Sequence, residues 1–408
     1  MRTKTMMRVL FTAFGWLLLA SCADGTGVAR VMISSSSTVA KVASFRVTVT
    51  SGGSTSDPIS FPLASPVTLP PAQSIGLRFD PSHRGTMTIA VTALDGSGNV
   101  LAAGTTMVDV EPSKSVDAAA TIAPRALQWT PIDGKTTADF SSVWGTNDRN
   151  VYIAGTDRLA NKATVLHSTD GGNTWNLNQG FPNTKGIAVW GIDAGNVFLT
   201  TEGTIYLADT GDDWRSILEE TTVAYFRLWG TYYPNELWAV GSQGIIARSN
   251  GTSWQTIYQD PSRSELDQIW GAATNDIYVP SPSGLLHSSD GASWSILDVG
   301  IKQPGIVWGT GSDDVFVIGA GDALAHKRGQ HWTSVATGAP SQALGIWATG
   351  TGDVYLAGLQ GLLMHSPDDG VTWSVIDAGV KNNLMAIWGS GPSDIYVVGE
   401  QGVILHGH

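Results

Sequence analysis

The sequence predicts an all-β protein in which a seven-bladed β-propeller, residues 127–408, follows a β-sandwich, residues 28–126. Three observations predict this fold. An aliphatic residue followed by tryptophan recurs seven times after residue 126, a turn motif follows several of these copies, and the segment before them alternates apolar and polar residues. Copies of about 40 residues that hold several short strands are typical of propeller blades, and alternation is typical of half-buried strands.

The first 22 residues predict an export signal. Three basic residues, Arg2, Lys4 and Arg8, precede the apolar run Val9–Ala20. This run is too short for a comfortable transmembrane helix and has the length of a signal-peptide core.

The signal ends in Leu19-Ala20-Ser21-Cys22, which resembles the lipobox of bacterial lipoproteins, and Cys22 is the only cysteine in the chain. In that family the cysteine is lipidated and becomes the mature N-terminus. The resemblance therefore implies a cell-envelope protein that touches the membrane only through its lipid anchor. Ala23 favours the outer membrane and leaves open its periplasmic or surface side. The alternative is an ordinary secretory signal with a chance cysteine.

Residues 23–27 form a short linker before the predicted sandwich. The stretches SFRVTVT and TMTIAVTAL place apolar side chains at every second position, and Asp95–Asn99 predicts a hairpin turn. About seven antiparallel strands are expected. The segment loosely resembles the immunoglobulin-like or fibronectin-like modules of bacterial surface proteins, which implies a spacer; no residue in it indicates a ligand.

The repeat is defined by its tryptophans, which are spaced by 46, 39, 41, 38, 39 and 41 residues. After each one come an acidic or amide residue with an aliphatic and an aromatic residue, then a glycine turn, then a third apolar run, and in six copies a fourth segment that begins with another tryptophan. Four strands per copy make one blade, so seven copies predict seven blades. The repeated tryptophans are Trp144, Trp190, Trp229, Trp270, Trp308, Trp347 and Trp388.

The seventh copy lacks its fourth strand, because it ends at GVILHGH without a further tryptophan. The stretch LQWTPID, which contains Trp129, precedes the first copy and can supply the missing strand. We expect it to close the ring and remove the exposed sheet edge.

Two stretches, HSTDGGNTW (167–175) and HSPDDGVTW (365–373), resemble the Asp-box of sialidase-type, or BNR, propellers, S-x-D-x-G-x-T-W. The whole of residues 127–408 resembles these propellers and the related photosystem II assembly-factor-like group. In that family the box is a turn between the third and fourth strands, away from the active centre, so the resemblance implies a structural role. The matching residues are Ser168, Asp170, Gly172, Thr174, Trp175, Ser366, Asp368, Gly370, Thr372 and Trp373.

Five histidines share one register on five predicted third strands. A metal needs three or four ligands around one point, and one histidine per blade does not supply them, so packing or turn bonding is the preferred interpretation and no metal or cofactor is expected. Arg248 and Ala208 are the predicted equivalents in the other blades. Asp276, Asp314, Asp353 and Asp394, which follow the first strands, are predicted turn caps. The histidines are His167, His287, His326, His365 and His406.

The sequence does not indicate an enzyme. The Arg-Ile-Pro signature of sialidases is absent, no carboxylate pair can be nominated for glycoside hydrolysis, and there is no phosphate loop, zinc motif or nucleophile elbow. After residue 126 there are 13 Lys and Arg against 28 Asp and Glu. Such an acidic surface repels phosphate backbones, which excludes nucleic acid.

The predicted binding face carries the loops that join the fourth strand to the next first strand and the second strand to the third. Sequence-unique loops on this face, including the insertion at 156–163, are the candidates for binding a protein or a glycan. We expect a monomeric binding module; a BNR-type glycoside hydrolase and an envelope assembly factor remain the alternatives. The candidate residues are Arg158, Tyr225, Arg227, Tyr258, Arg263, Lys302 and Asn382.

Overall fold

The computed structural model describes residues 26–35, 39–51, 54–69, 71–79, 84–96, 98, 100–124, 127–182, 184–208, 212–219, 222–231, 236–251, 253–349 and 352–408. The predicted signal and Cys22 lie outside these residues. The chain divides into two compact units after residue 126, and each is described by itself. Within the described part of the chain, none of the helices has the length and apolar character needed to cross a membrane.

The described residues of the N-terminal unit form eight strands. Their alternating residues, such as Met87, Ile89 and Val91, are buried in one apolar core, as the period of two requires. The strands are β1 Gly27–Ser35, β2 Val39–Ser51, β3 Ser54–Thr55, β4 Ile59–Leu69, β5 Gln73–Phe79, β6 Gly85–Leu94, β7 Val100–Val110 and β8 Ser115–Pro124.

The strand order is β3-β2-β6-β7-β8-β1-β5, with β4 also paired to β2. Strands β6 and β7 form the hairpin predicted around residues 95–99. One pair differs from the antiparallel arrangement expected, because β8 runs parallel to β1. A parallel pair needs a long connection, and the six intervening strands β2–β7 supply it.

The C-terminal unit contains seven four-stranded antiparallel sheets, named sheets 1 to 7 in chain order. Three single 3-10 turns, Ser242–Gly244, Leu359–Gly361 and Glu400–Gly402, follow the second strands of sheets 3, 6 and 7. Sheets 1 to 3 consist of β10 Asp139–Gly145, β11 Val151–Asp157, β12 Lys162–Ser168 and β13 Asn176–Asn178; β14 Gly186–Asp193, β15 Asn196–Thr201, β16 Thr204–Ala208 and β17 Trp214–Glu219; and β18 Tyr225–Thr231, β19 Glu236–Gly241, β20 Ile245–Ser249 and β21 Trp254–Gln259.

Sheets 4 to 7 repeat this arrangement, and the first strand of every sheet contacts the first strand of the next, with the last contacting β10, so that the sheets form a ring. Their strands, together with β9 Trp129–Pro131, are β22 Trp270–Ala273, β23 Asp276–Ser281, β24 Gly284–Ser288 and β25 Ser295–Leu297; β26 Ile306–Gly311, β27 Asp314–Ile318, β28 Ala323–Arg328 and β29 His331–Ala336; β30 Ala343–Ala348, β31 Val354–Gly358, β32 Leu363–Ser366 and β33 Ser374–Val375; and β34 Leu384–Gly391, β35 Asp394–Gly399 and β36 Ile404–Gly407.

Strand β9 is the fourth strand of sheet 7, as the sequence predicts. Trp129 lies opposite Gly407 in the register of β9 and β36. The backbone amide of His408 donates to the carbonyl of Gln128 at 3.1 Å, and the ring of Trp129 lies edge-on to Tyr355 of sheet 6 at 6.3 Å. The two ends of this unit therefore meet in one sheet.

Close packing of the repeated tryptophan on the next sheet explains the Trp-Gly pair. A Cβ atom added to Gly191 would lie 2.5 Å from the indole of Trp144, and one added to Gly145 would lie 2.6 Å from Trp388 across the junction of sheets 7 and 1. Real Cβ contacts are never this short, so the indole occupies the space that a side chain would need. Sheet 6 differs, because Ala348 replaces the glycine.

In sheets 1, 2, 5 and 7 the tryptophan that precedes or begins the fourth strand contacts the second-strand aromatic residue of the preceding sheet. Ring centroids are 6.4 Å apart for Trp175 and Tyr396, and 6.5 Å for Trp214 and Tyr152, both edge-on. Edge-to-face pairs of this kind add to the burial of the rings. The outer strands thus help to join neighbouring sheets.

The two Asp-boxes have the same hydrogen bonds. In the second box the Asp368 carboxylate accepts from the Thr372 amide at 2.8 Å and its hydroxyl at 2.7 Å, and Ser366 Oγ accepts from the Gly370 amide at 2.8 Å. The indole of Trp373 donates to the Gly370 carbonyl at 3.0 Å.

In the first box, Asp170 accepts the equivalent bonds from Thr174 at 2.9 and 2.7 Å, Gly172 donates to Ser168 Oγ at 2.8 Å, and Trp175 donates to Gly172 at 3.1 Å. The hydroxyl and amide of Thr174 lower the pKa of Asp170 below its ordinary value, because they bond the charged form. Both aspartates therefore have their oxygens engaged within the turn.

The contacts of β9 predict that Trp129→Ala weakens the ring. The substitution removes the packing on Gly407 and Tyr355, so we expect the free energy of unfolding to fall by about 2–4 kcal/mol, at or below the range for large buried aromatics. Thermal melting of the full chain measures this, with Gln128→Ala, an exposed neighbour, as the control. Equal melting temperatures for the two variants would contradict the closure.

The Asp-box contacts predict that Asp368→Ala lowers stability by about 0.5–2 kcal/mol, the scale of a lost capping bond. The Thr372 amide and hydroxyl lose their acceptor, while the face that carries the cavity described below is unchanged. Chemical denaturation checks the loss, with the exposed Asp313→Ala as the matched control. A folded Asp368→Ala protein that has lost partner binding would show that the box is itself the working site.

Candidate functional site

A cavity of about 750 Å³ opens where sheets 1, 2 and 3 meet around the axis of the ring. It lies at the starts of the first strands β10, β14 and β18 and at the ends of the second strands, on the face that carries the insertion after β11. The lining residues are Asp139, Ser141, Thr156, Arg158, Asn161, Lys185, Gly186, Ile187, Glu202, Ala224, Phe226, Ser242 and Glu265.

A β-bulge places one lining residue from each of the three first strands. Pairing skips Ser141 between Phe140 and Ser142, and it skips Ile187 and Phe226 in the same way. A bulge leaves the extra residue outside the ladder and turns its side chain away from the regular pleat. The bulges thus deliver a hydroxyl, an aliphatic chain and an aromatic ring to the cavity wall.

Most of the charged groups at the cavity are paired within the chain. Arg158 follows β11 and forms ion pairs with Asp139 and, at 3.7 Å, with Glu400 of sheet 7. Lys185 and Glu202 form a second pair at 2.8 Å. The Arg158 side chain is 70% exposed, so its head group remains open to a ligand.

Arg227 holds the first strands of sheets 1 to 3 together. Its Nη1 donates to the carbonyls of Phe226 at 3.0 Å and Ile187 at 3.4 Å, and its Nη2 donates to the carbonyl of Ser141 at 3.4 Å. Burial lowers the pKa of this guanidinium, and the neighbouring Asp267 opposes the change. Arginine remains charged despite such shifts, so a cation lies beside the cavity wall.

A smaller cavity of about 250 Å³ continues the first one toward sheets 4 and 5. Glu265 lines both cavities. Asp267, Pro280 and Pro304 contribute to the wall of the smaller one. The two cavities together therefore have the ion pairs of Arg158 and Lys185 on one side and apolar residues at the centre. The carboxylates of Glu265 and Asp267 lie on the other side.

Two tyrosines predicted as exposed anchors are placed differently by the structure. Tyr225 is only 6% exposed, in the apolar cluster between sheets 2 and 3, with its ring 6.3 Å from Trp254. Tyr258 lies in strand β21 instead of the following loop, half-buried, and its ring is 6.2 Å from Trp294 of sheet 4. The prediction for Tyr225 was wrong because its apolar neighbours draw the ring into the core.

The other candidates divide into two groups. Arg158 lines the larger cavity and Arg227 bonds the backbone of residues in its wall. Arg263 and Lys302 are exposed in loops that the two cavity linings do not include. The amide of Asn382 donates to Gln401 at 3.1 Å. The predicted residues therefore share a face without forming one cluster.

The five repeated histidines make similar contacts at the ends of the sheets that lie away from the cavity. In four of them Nε2 donates to the aspartate that begins or directly precedes the second strand, as in His365 and Asp353 at 2.7 Å, with the imidazole stacked on Tyr355 at 4.4 Å. His167 instead contacts Asn150 at 2.7 Å and Asp212 at 2.8 Å. These aspartates had been predicted as turn caps; their main partner is the histidine.

The register of the remaining sheets corrects one predicted equivalence. Leu207, and not Ala208, lies opposite Phe198 in sheet 2, whereas Arg248 takes the position in sheet 3 and pairs with Glu236 over the ring of Trp238. An aliphatic chain or a guanidinium thus replaces the histidine, as expected of a packing position. Within the described part of the chain, no group of three or more His, Cys, Asp or Glu side chains is placed to hold a metal ion.

Sequence reasoning missed most of the cavity wall, including Ile187, Phe226 and Glu265. A signal was present, because the residue three positions before each repeated tryptophan is Ser, Ile, Phe, Asp, Gly, Leu and Met in turn. This position varies, as the positions on either side of it do, while the aliphatic–tryptophan pair that follows repeats. The sequence does not show that this position lies beside the axis, because that placement depends on the bulge.

The ring of four-stranded sheets resembles the folds of known proteins. The structure "YCF48 bound to D1 peptide" matches with a TM-score of 0.58 and 18% identity, and the match covers 68% of this chain and 96% of that chain. YCF48 from Cyanidioschyzon merolae matches with a TM-score of 0.56 and 17% identity over 70% of this chain and 99% of that chain. The WD40 β-propeller domain of Doa1 matches with a TM-score of 0.54 and 12% identity over 69% of this chain and 96% of that chain. These likenesses show a propeller-like fold.

No curated protein matches the sequence significantly. The family model described as photosynthesis system II assembly factor YCF48 matches residues 113–407, which is well over half of the chain. The Asp-boxes, the ring of sheets and this match agree, and the chain belongs to the YCF48 assembly factor family.

Proposed function

We propose that this chain is a lipid-anchored envelope protein whose seven-bladed propeller binds a segment of a protein partner without catalysing a reaction. The observation that carries the proposal is the 750 Å³ cavity on the irregular loop face. Its mixture of apolar centre and charged margin is typical of sites that recognise a ligand by shape and by a few polar groups. Membership of an assembly-factor family supports protein binding over catalysis.

The partner is proposed to be a protein because a solved relative is bound to a D1 peptide. A peptide segment is narrow enough for a cavity of this size, whereas two folded proteins bury a broader interface. A role in assembling other envelope proteins rests on the same activity, because it also requires the propeller to bind a segment of a protein partner. The glycan partner, which the sequence left open, has no comparable support.

The hydrolase alternative requires an arginine cluster beside a tyrosine and a carboxylate. Arg158 and carboxylates are present in the cavity, but its described lining contains no tyrosine. Tyr225, which is nearest in sequence to the wall, is buried in the core. The arrangement therefore favours binding.

The two units are proposed to have different roles, binding for one and spacing for the other. In the proposal the seven sheets are the blades of one propeller, and the N-terminal unit is an immunoglobulin-like spacer between the propeller and the lipid on Cys22. The anchored protein acts as a monomer, because a closed ring exposes only short edges for pairing with a second copy. The outer membrane remains the proposed location, since Ala23 follows the lipobox cysteine.

A photo-crosslinking amino acid at Asn161 tests the proposed site. Asn161 lines the cavity and is exposed, so a partner segment bound there should form an adduct in living cells. The same crosslinker at Asp313, in a loop that joins a first strand to a second one on the other face, is the matched control. Adducts from Asn161 alone support the proposal, whereas equal adducts from both sites, or adducts from Asp313 alone, contradict it.

The lipid anchor is tested independently by Cys22→Ser. The variant lacks the only thiol and should move from the membrane fraction to the soluble fraction, with loss of labelled acyl chain uptake. Ser21→Ala, next to the thiol, serves as the control and should remain acylated. If the Cys22→Ser protein stays with the membrane and the unsubstituted protein takes up no label, the anchor is refuted.

A further inference from the structure

The first strands of five sheets carry a β-bulge at one common position. Pairing skips Ser141, Ile187, Phe226, Leu344 and Met385, each three residues before the repeated tryptophan. Bulges that recur at one position next to a cavity re-aim side chains and are functional features. The position is therefore the place where each sheet presents a variable residue to the axis.

The bulge is built into the repeat by a glycine of the second strand. Gly155, Gly241, Gly358 and Gly399 lie opposite the residue before the bulge. A Cβ atom on Gly155 would come within 2.1 Å of the Asp139 carbonyl, and the other three have equivalent contacts of 1.9–2.2 Å. The backbone thus approaches closely at this point in four of the five bulged sheets, whereas in sheet 2 Thr201 lies opposite Gly186. The bulge recurs while its residue varies.

The residues at this position differ in polarity from sheet to sheet around the axial opening. Ile187 and Phe226 are only half-buried and line the large cavity. In sheets 4 and 5 the equivalent residues are Asp267 and Gly305, which line the small cavity. An apolar surface thus lines one cavity and the Asp267 carboxylate lines the adjoining one, with Glu265 common to both.

The charge of the opening indicates the partner. The two cavity linings contain the cations Arg158 and Lys185 and the anions Asp139, Glu202, Glu265 and Asp267, which gives an excess of two carboxylates. Both cations are paired with carboxylates of the chain. Arg227 balances Asp267 only in part, since its hydrogen bonds go to backbone carbonyls.

We infer that the bulged position determines specificity, and that the opening selects an extended peptide with an apolar side chain next to a basic one. The apolar side chain packs on Ile187 and Phe226, and the basic side chain reaches Glu265 and Asp267 in the smaller cavity. This inference rests on the proposed function, because it names the partner of that same site. Complementary charge favours the correct register and disfavours acidic segments.

A peptide array tests the inference directly. Hexapeptides Gly-Ser-X-Z-Ser-Gly, with X and Z varied over all residues, are probed with the full chain. We expect the strongest retention where an aliphatic or aromatic residue adjoins Lys or Arg, with about tenfold weaker signal when the apolar residue becomes Ser, as for an apolar group lost from a pocket. Retention of acidic pairs, retention without residue preference, or none above the Gly-Ser background overturns the inference.

Two sets of variants assign the preference to the residues named. Phe226→Ser should remove the preference for the apolar residue, while Glu265→Lys with Asp267→Lys should replace the preference for Lys by one for Glu. Asp148→Lys with Asp313→Lys, exposed residues in loops on the other face, is the matched control with the same change in charge and should keep the original preference. Thermal melting of each variant verifies that it is folded.

The outcomes separate this inference from the proposed function. Adducts at Asn161 together with an array that prefers acidic peptides, or a charge-reversed variant that still prefers Lys, would leave protein binding in place and refute the selectivity. Adducts from the control position Asp313 alone would refute the site itself. An unchanged apolar preference in a folded Phe226→Ser protein would refute the role of the bulged position.

Discussion

The ring depends on contacts between repeated tryptophans and the glycine of the next sheet, which are present at five of the seven junctions. Trp144 lies where a side chain on Gly191 would be, and Trp388 does the same at Gly145. Because the indole lies against backbone at these junctions, it limits how closely the neighbouring first strands approach each other. The first strands contact one another around a closed ring, and the axial opening is the space that remains inside it. The cavity is thus a consequence of the same packing that stabilises the ring.

The second layer of interactions lies farther from the axis and links each sheet to itself and to its neighbour. The imidazole of His406 stacks on Tyr396 at 4.2 Å and bonds Asp394 at 2.6 Å, while Trp175 of sheet 1 meets the same tyrosine edge-on. Burial raises the pKa of Tyr396 above its ordinary value, and the nearby carboxylate of Asp394 adds to the shift. Stacked rings and buried hydrogen bonds fix one geometry here, so the first strands can vary at the bulge without loss of register.

The sequence was sufficient for the number of strands in each copy, for the pairing of Trp129 with the last copy and for the turn bonds of the Asp-boxes, because each is a local pattern repeated in the chain. The environment of Tyr225 and the pairing of His365 with Asp353 were not predictable from it. The first depends on how sheets 2 and 3 pack together. The second depends on the register of neighbouring strands, which places His365 opposite Tyr355 and within reach of Asp353. The cavity was missed for a related reason. Its wall combines residues from separate copies, and the bulge that turns Phe226 toward the axis is a feature of strand register, which a single copy does not reveal.

The pairing of β9 with β36 also sets the order in which the chain can become native. Thr130 bonds the carbonyl of His406 across 276 residues, which is a far longer separation than that between strands inside any other sheet. During synthesis six sheets can be completed in sequence, but β9 has no partner until residues 404–407 leave the ribosome, and it must be kept from pairing elsewhere during that time. Contacts of such sequence separation form late and slowly. The interval between translation of β9 and translation of β36 is therefore the period in which the nascent ring is open and most exposed to proteolysis and aggregation.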